Sequence, residues 1–367
     1  MLTLCSAQLC VLLSLMLHCS FAQGARLLLF TATAQGAYRH DSIPTAIQTI
    51  TALGKGDISL SSDVAESAVS GARWETVASE DAQLFTQQGL EEFDAIAFVH
   101  NTDVDPPGIG TILSFDQASA LLSYISSGGG YVGVHSAANT LYSTPGYGRL
   151  VGSFFDYHPA LQRVSIGALS KDHPSTSRFP ESLSIREEVY HFRTDPRRLP
   201  SPAHVLLTNT SAFQDPGVNA QGFRNGSDGS PRPLAWWREG GLLDVPQEER
   251  IGGGLDDYEG DVNPRGGPGR SFCTSLGHLN ETWQEPAFQA HIAGGIHWVL
   301  SSPTVKSNTG SASIGSSGTP TDQSGRPTST ARDQIGAADV AASPVKVSPG
   351  AIFLCAVVLS SLWAVQT

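Results

Sequence analysis

Cysteine is scarce in this chain, with 5 in 367 residues. Cys5, Cys10 and Cys19 fall in the first apolar segment and Cys355 in the last, which leaves Cys273 alone between them. A single thiol excludes an internal disulfide, so the middle of the chain must be held by its own core. Basic residues are also few: 22 Lys and Arg face 34 Asp and Glu, for a net charge of −12. No Lys/Arg stripe is present, which argues against nucleic acid as a partner, since that binding rests on phosphate neutralisation. Neither a His-Glu-x-x-His metal motif nor a Gly-x-Ser-x-Gly nucleophile elbow occurs. No internal repeat is evident.

Long apolar runs occur only at the two ends. Residues 1–22 carry Leu9, Val11, Leu12, Leu13, Leu15, Met16 and Leu17, followed by Ser20-Phe21-Ala22. This is the pattern of a secretory signal cut after Ala22, although no Lys or Arg precedes the run. The run is shorter than the roughly 20 residues that a bilayer span requires. At the other end, residues 351–367 form an apolar tail behind small residues such as Ala341, Ala342 and Ser343. That arrangement is expected to be a GPI-anchor signal; a tail-anchored helix is the alternative. Residues 301–350 are rich in Ser, Thr, Gly, Pro and Ala, and read as a flexible stalk. Asn209, Asn225 and Asn280 begin glycosylation tripeptides. The expected product is a secreted protein held at the cell surface by a lipid anchor.

Residues 23–300 then form the folded part. Arg26-Leu27-Leu28-Leu29-Phe30-Thr31, residues 93–99 and Tyr131-Val132-Gly133-Val134 are short continuous apolar runs, as strands buried on both faces require. A short strand is also expected at 74–77. Helical spacing follows Ser42, a candidate N-cap, and recurs over 115–125 and 285–300. The alternation predicts a parallel sheet with helices on both faces. Further strands are expected at 164–169, 188–192, 205–207 and 272–276. In such a sheet, ligands bind beyond the carboxyl ends of the strands. His40 and Asp41, Asn101 and Thr102, and His135 and Ser136 all fall in loops there.

Six ordered segments resemble the ThuA-like, trehalose-utilisation family. They are residues 28–33 with Tyr38-Arg39-His40-Asp41-Ser42-Ile43; Gly128 through Ala138; Gly148 through Phe155 with His158-Pro159; Glu188-Val189-Tyr190-His191-Phe192; Arg270 through His278; and Phe288, His291, Gly294, Gly295, Ile296 and Trp298. The resemblance spans nearly the whole folded part. It implies an α/β, flavodoxin-like fold similar to class I glutamine amidotransferases. Those enzymes carry a Cys at the turn after the central strand, where this chain has Gly133-Val134-His135-Ser136. Without a thiolate, glutamine hydrolysis by that route is not expected, and Ser136 is a candidate substitute nucleophile. The family name implies carbohydrate chemistry on a disaccharide or an oxidised sugar.

Histidine is both the neutral-pH acid/base and the commonest metal ligand. His40, His135 and His278, with Glu188, are therefore the candidate catalytic residues. The three histidines are also candidate ligands for a divalent metal such as zinc. Asp41, Asn101, Thr102, Ser136, His158 and Tyr190 are candidate substrate contacts. Tyr38, Tyr142, Trp236 and Trp237 are further aromatic faces for a sugar ring. Residues 238–269 read as an acidic insertion relative to the family. A non-catalytic glycan-binding or wall-associated module is the alternative to an enzyme.

Overall fold

The computed structural model describes residues 24–60, 73–104, 110–216, 228–244 and 269–302, all within one compact unit. The signal, stalk and anchor segments, Asn225 and most of the acidic insertion lie outside the described residues. Among the described residues, no helix is long and apolar enough to cross a membrane.

The described residues form eleven strands: β1 (Ala25–Phe30), β2 (Trp74–Ser79), β3 (Ala95–Val99), β4 (Gly130–Val134), β5 (Phe155–Tyr157), β6 (Gln162–Ala168), β7 (Leu183–Glu187), β8 (His191–Phe192), β9 (His204–Asn209), β10 (Ala235–Glu239) and β11 (Arg270–Thr274). Nine of them form one sheet in the order β2-β1-β3-β4-β11-β10-β9-β6-β7, while β5 and β8 pair separately. The strands from β2 to β11 are parallel, and those from β10 outward alternate antiparallel. The fold is thus α/β and flavodoxin-like in its parallel half, with a mixed sheet overall.

The helices are α1 (Ile43–Lys55), α2 (Gln87–Leu90), α3 (Phe115–Ser126), α4 (Pro145–Val151), α5 (Asn280–Gln284) and α6 (Pro286–Leu300). Strand alternation feeds two cores. Leu28 and Phe30 of β1 join α3 and α4 residues such as Leu121, Ile125 and Leu150 on one face. Leu27 and Leu29 join α1 and α6 residues such as Ile50, Ile292 and Ile296 on the other. A Cβ on Gly295 would run into the Phe272 ring, so the glycine lets α6 lie close against the sheet.

Some sequence expectations need correction. The run 188–192 is not one strand. β7 ends at Glu187, and Glu188 to Tyr190 leave the ladder before β8 begins. The last helix does not start at Glu285, because Pro286 opens α6 and disfavours a helical residue before it. Ser42 stands at the N-cap position of α1 but makes no side-chain cap bond, and its hydroxyl instead donates to the His278 carbonyl at 2.7 Å. Trp236, Trp237 and Arg238 belong to β10, so any insertion begins after Glu239. Arg238 is buried, its guanidinium bonded to the carbonyls of Ser201, Arg149 and Leu242.

Candidate active site

In the order β2-β1-β3-β4, chain direction across the sheet reverses between β1 and β3. A crevice opens at such a switch point, outside the carboxyl ends of the strands. His40 follows β1, His100 comes directly after β3 and His135 directly after β4, so topology alone delivers three imidazoles to one place. The β11–α5 turn adds His278, and the segment leaving β7 adds Glu188 and Tyr190.

His100 and His135 each follow a strand immediately and each take left-handed backbone, with φ of 58° and 56°. That conformation costs a non-glycine residue roughly 1–2 kcal/mol. Strain of this kind is retained where surrounding structure fixes it, often at a functional turn. The sharp turn after β4 is therefore occupied by His135, not Ser136. Ser136 sits one residue later, its hydroxyl accepting from Thr102 at 3.1 Å and lying 3.5 Å from His40 Nδ1.

His135 is fully buried and its tautomer follows from its partners. Nδ1 lies 2.7 Å from the Ser275 carbonyl, which can only accept, so Nδ1 carries the proton. Nε2 then presents its lone pair. Around it stand the Tyr190 hydroxyl at 3.0 Å, His278 Nδ1 at 3.2 Å and Glu188 Oε2 at 3.5 Å. The Glu188 carboxylate also reaches His278 Nδ1 at 3.2 Å and His158 Nε2 at 3.5 Å. The His158 ring stacks on Tyr190 with centroids 5.8 Å apart. Exposed Tyr38 covers the outer side, edge-on to His40 and parallel to His278.

The electrostatics divide the histidines. Burial lowers His40 to about 4, with the neighbouring His278 adding to the effect. Burial first, then the surrounding imidazoles, pushes His100 and His135 well below the ordinary value. Burial also works to lower His278, but the hydrogen bond to Glu188 and the charges of Glu188 and Glu187 outweigh it and raise this histidine. Neutral imidazoles therefore sit beside one that favours its proton, the kind of divergence that separates acid from base.

The ligand atoms of His40, His135 and His278 lie within 4.8 Å of one another. Two nitrogens on a tetrahedral zinc are about 3.4 Å apart, given bonds of about 2.0–2.1 Å, so an ion would draw the widest pair inward. The donor set fits a divalent metal in a further way. His135 gives one nitrogen to a backbone carbonyl and turns the lone pair of the other into the cluster, which is the usual orientation of a metal-ligating imidazole.

Not every sequence candidate joins the cluster. Asp41 is exposed at the start of α1. Asn101 donates to the Ala32 carbonyl at 3.1 Å and ties the β1 and β3 loops together. Thr102 acts one layer out, on Ser136. Trp236 is core, its indole N–H on the Val151 carbonyl. Asn209 donates to the Ser211 carbonyl, and Asn280 accepts from Thr45.

Two residues were missed. His100 was visible only as the end of a strand, though His135 occupies the corresponding position on the next strand. Glu187 is fully buried and accepts from the N–H groups of Gly277, His278 and Glu188 at 3.1, 3.3 and 3.1 Å and from Thr282 Oγ1 at 3.0 Å. It fixes the backbone of Glu188 and His278 together. Its position next to Glu188 on an alternating strand was the available signal.

The ThuA family, described as trehalose utilisation, matches residues 26–299. The chain belongs to this family. A ThuA-like protein from Bacteroides uniformis has a similar fold, at a TM-score of 0.51 and 19% identity over 78% of this chain and 97% of that one. A ThuA-like protein from Parabacteroides merdae is 16% identical over 76% of this chain and 91% of that one, at a TM-score of 0.47. Among curated proteins, no sequence matches this chain. The turn after β4 carries no thiol. Cys273 does not replace it: burial raises that thiol to about 12, far from thiolate character at neutral pH.

Proposed function

We infer that this ThuA-family protein is an enzyme acting on a disaccharide or an oxidised sugar, with its active site at the His40–His135–His278–Glu188 cluster. The observation that carries the reading is the lone pair of His135 Nε2, held by the Ser275 carbonyl toward Glu188, His278 and Tyr190. His40, His135 and His278 are the residues that would hold a divalent metal. Such an ion would supply Lewis-acid polarisation of a substrate oxygen. Glu188 is the group placed to take a proton from water or a sugar hydroxyl, and His278, hydrogen-bonded to it, orients that carboxylate. His158 and Tyr190 confine the Glu188 carboxylate and the His135 ring. The family description supports a sugar as the substrate class. The end segments support secretion and a GPI-anchored surface location, with Asn209, Asn225 and Asn280 as glycan acceptors.

The test is product formation followed by NMR with trehalose, other neutral disaccharides and oxidised sugars, for the wild type and for Glu188→Gln. Turnover by the wild type, reduced at least 100-fold in the variant, is the expected result. Sugar binding without turnover would instead favour a glycan-binding surface module. The exposed Tyr38 ring is the feature that keeps that second reading in view.

A further inference from the structure

A cleft of about 330 Å³ opens next to the His278 turn, between edge strand β7 and the α5–α6 junction. This is the lower end of the range for small-molecule sites. The strands contribute Arg163, Ser184 and Arg186; the helical side contributes Leu279, Glu281 and Glu285.

Its charges are arranged in an unusual way. Arg163 and Arg186 stand directly opposite each other in the β6–β7 register, and both are exposed. Like charges so placed destabilise a sheet unless something between them compensates. The carboxylates of Glu281 and Glu285 share the cleft, yet among the described residues none of the four charged groups forms an ion pair. Arg163 donates only to the Ser184 carbonyl, at 3.3 Å. An open gap thus separates guanidinium donors from carboxylate acceptors. Among the described residues β7 pairs on one side only, so its outer edge adds backbone donors and acceptors.

These groups select a ligand. An anion would meet two carboxylates, and a cation would meet two guanidinium groups. A neutral polyhydroxyl ring satisfies both, because each hydroxyl donates and accepts. The cleft also adjoins the histidine site. Leu279 follows His278, and Arg186 precedes Glu187, which holds the His278 backbone.

We propose that the β7 cleft binds a neutral saccharide unit, held between Arg163 and Arg186 on the strands and Glu281 and Glu285 on the helical side. It deepens the sugar reading of the histidine site and rests on it. The saccharide there is the part of the substrate that does not react.

The test is calorimetric titration of the full secreted chain with trehalose, with glucose 6-phosphate and glucosamine as the charged probes. The variants are Arg163→Ala/Glu285→Ala, its conservative form Arg163→Gln/Glu285→Gln, and His135→Ala. Trehalose binding should weaken at least tenfold in both cleft variants and less than threefold in His135→Ala. The charged sugars should bind at least tenfold more weakly than trehalose. Unchanged trehalose affinity in the cleft variants would overturn the proposal, as would preference for either charged sugar. Loss of binding in His135→Ala with the cleft variants intact would place the sugar at the histidines alone, overturning the cleft site and leaving the sugar reading in force. Retained cleft binding with no turnover of any sugar would overturn the enzyme reading and leave the cleft.

Discussion

His135 and His191 are both buried imidazoles, on either side of Tyr190, and they live in opposite kinds of company. His191 sits among charged groups. Arg232 donates to its Nδ1 at 2.7 Å, its Nε2 meets Asp215 at 2.8 Å, and its ring stacks on Tyr157 with centroids 4.1 Å apart. Asp228 closes the network through Arg232 at 2.7 Å. His135 has one nitrogen satisfied by a carbonyl and the other among Tyr190, His278 and Glu188, with the His40 and His100 rings within about 5 Å of its own. Opposite charges that close on one another hold a fold together. Imidazoles crowded against imidazoles repel protons and leave lone pairs available, and that is the arrangement a ligand completes. Both histidines would read alike by burial alone; their partners distinguish them.

The largest expected effect touches both at once. Burial lowers His40, His191 and His291 to about 4 and His173 to about 3, and lowers His100 and His135 as well. In the unfolded chain these groups take up protons near pH 6.5. Their neutral folded forms therefore stabilise the protein above that pH, and the contribution is lost as pH falls toward the folded values. Each such histidine adds a slope of about 1.4 kcal/mol per pH unit within that window. Glu187 acts in the opposite sense. Burial raises it to about 7, so the folded protein holds a proton that the unfolded chain releases, and its contribution declines as pH rises toward 7. The histidines outnumber it. Denaturant unfolding should show stability falling by several kcal/mol from pH 6.5 to pH 4. Added zinc should move that acid limb downward in pH for the wild type and not for His135→Ala. A flat profile would contradict the count of neutral buried imidazoles.

His135→Ala should weaken zinc binding by more than 100-fold, since a ligand is lost, whereas His191→Ala should leave it within about twofold. Equal losses in a competitive chelator titration would erase the distinction drawn here. Asp228→Ala sharpens it from the other side. Removing the carboxylate takes from Arg232 its Asp228 acceptor, at a cost of about 2 kcal/mol with zinc affinity intact. The smallest effect is at Tyr190→Phe. Its hydroxyl competes for the His135 lone pair, so deleting it should raise zinc affinity by roughly two- to tenfold. A fall would show that Tyr190 supports the ligand instead.

The parallel half of the sheet was legible because β1, β3 and β4 are continuous apolar runs ending in polar turns. Those turns carried His40 and His135, and the late His278 and the Glu188–Tyr190 segment followed from the family pattern. The antiparallel half was legible in part: the strands expected at 164–169 and 205–207 are β6 and β9, while β7 and β10 escaped the reading. β7 alternates buried and exposed residues over five positions and ends on a buried glutamate, which periodicity cannot separate from a loop. β10 reads as aromatic and charged, and only the fold shows that Trp236 fills the core and Arg238 caps backbone carbonyls. His100 and Glu187 were obscured for the same reason. Each is a polar side chain whose burial depends on neighbours distant in sequence.

The most direct measurement is the metal content of the purified chain by elemental analysis, repeated on His135→Ala with folding checked by circular dichroism. The account predicts close to one equivalent of zinc or another divalent transition metal in the wild type, absent from the variant. A folded wild type that carries no metal and takes up none when zinc is supplied would contradict it.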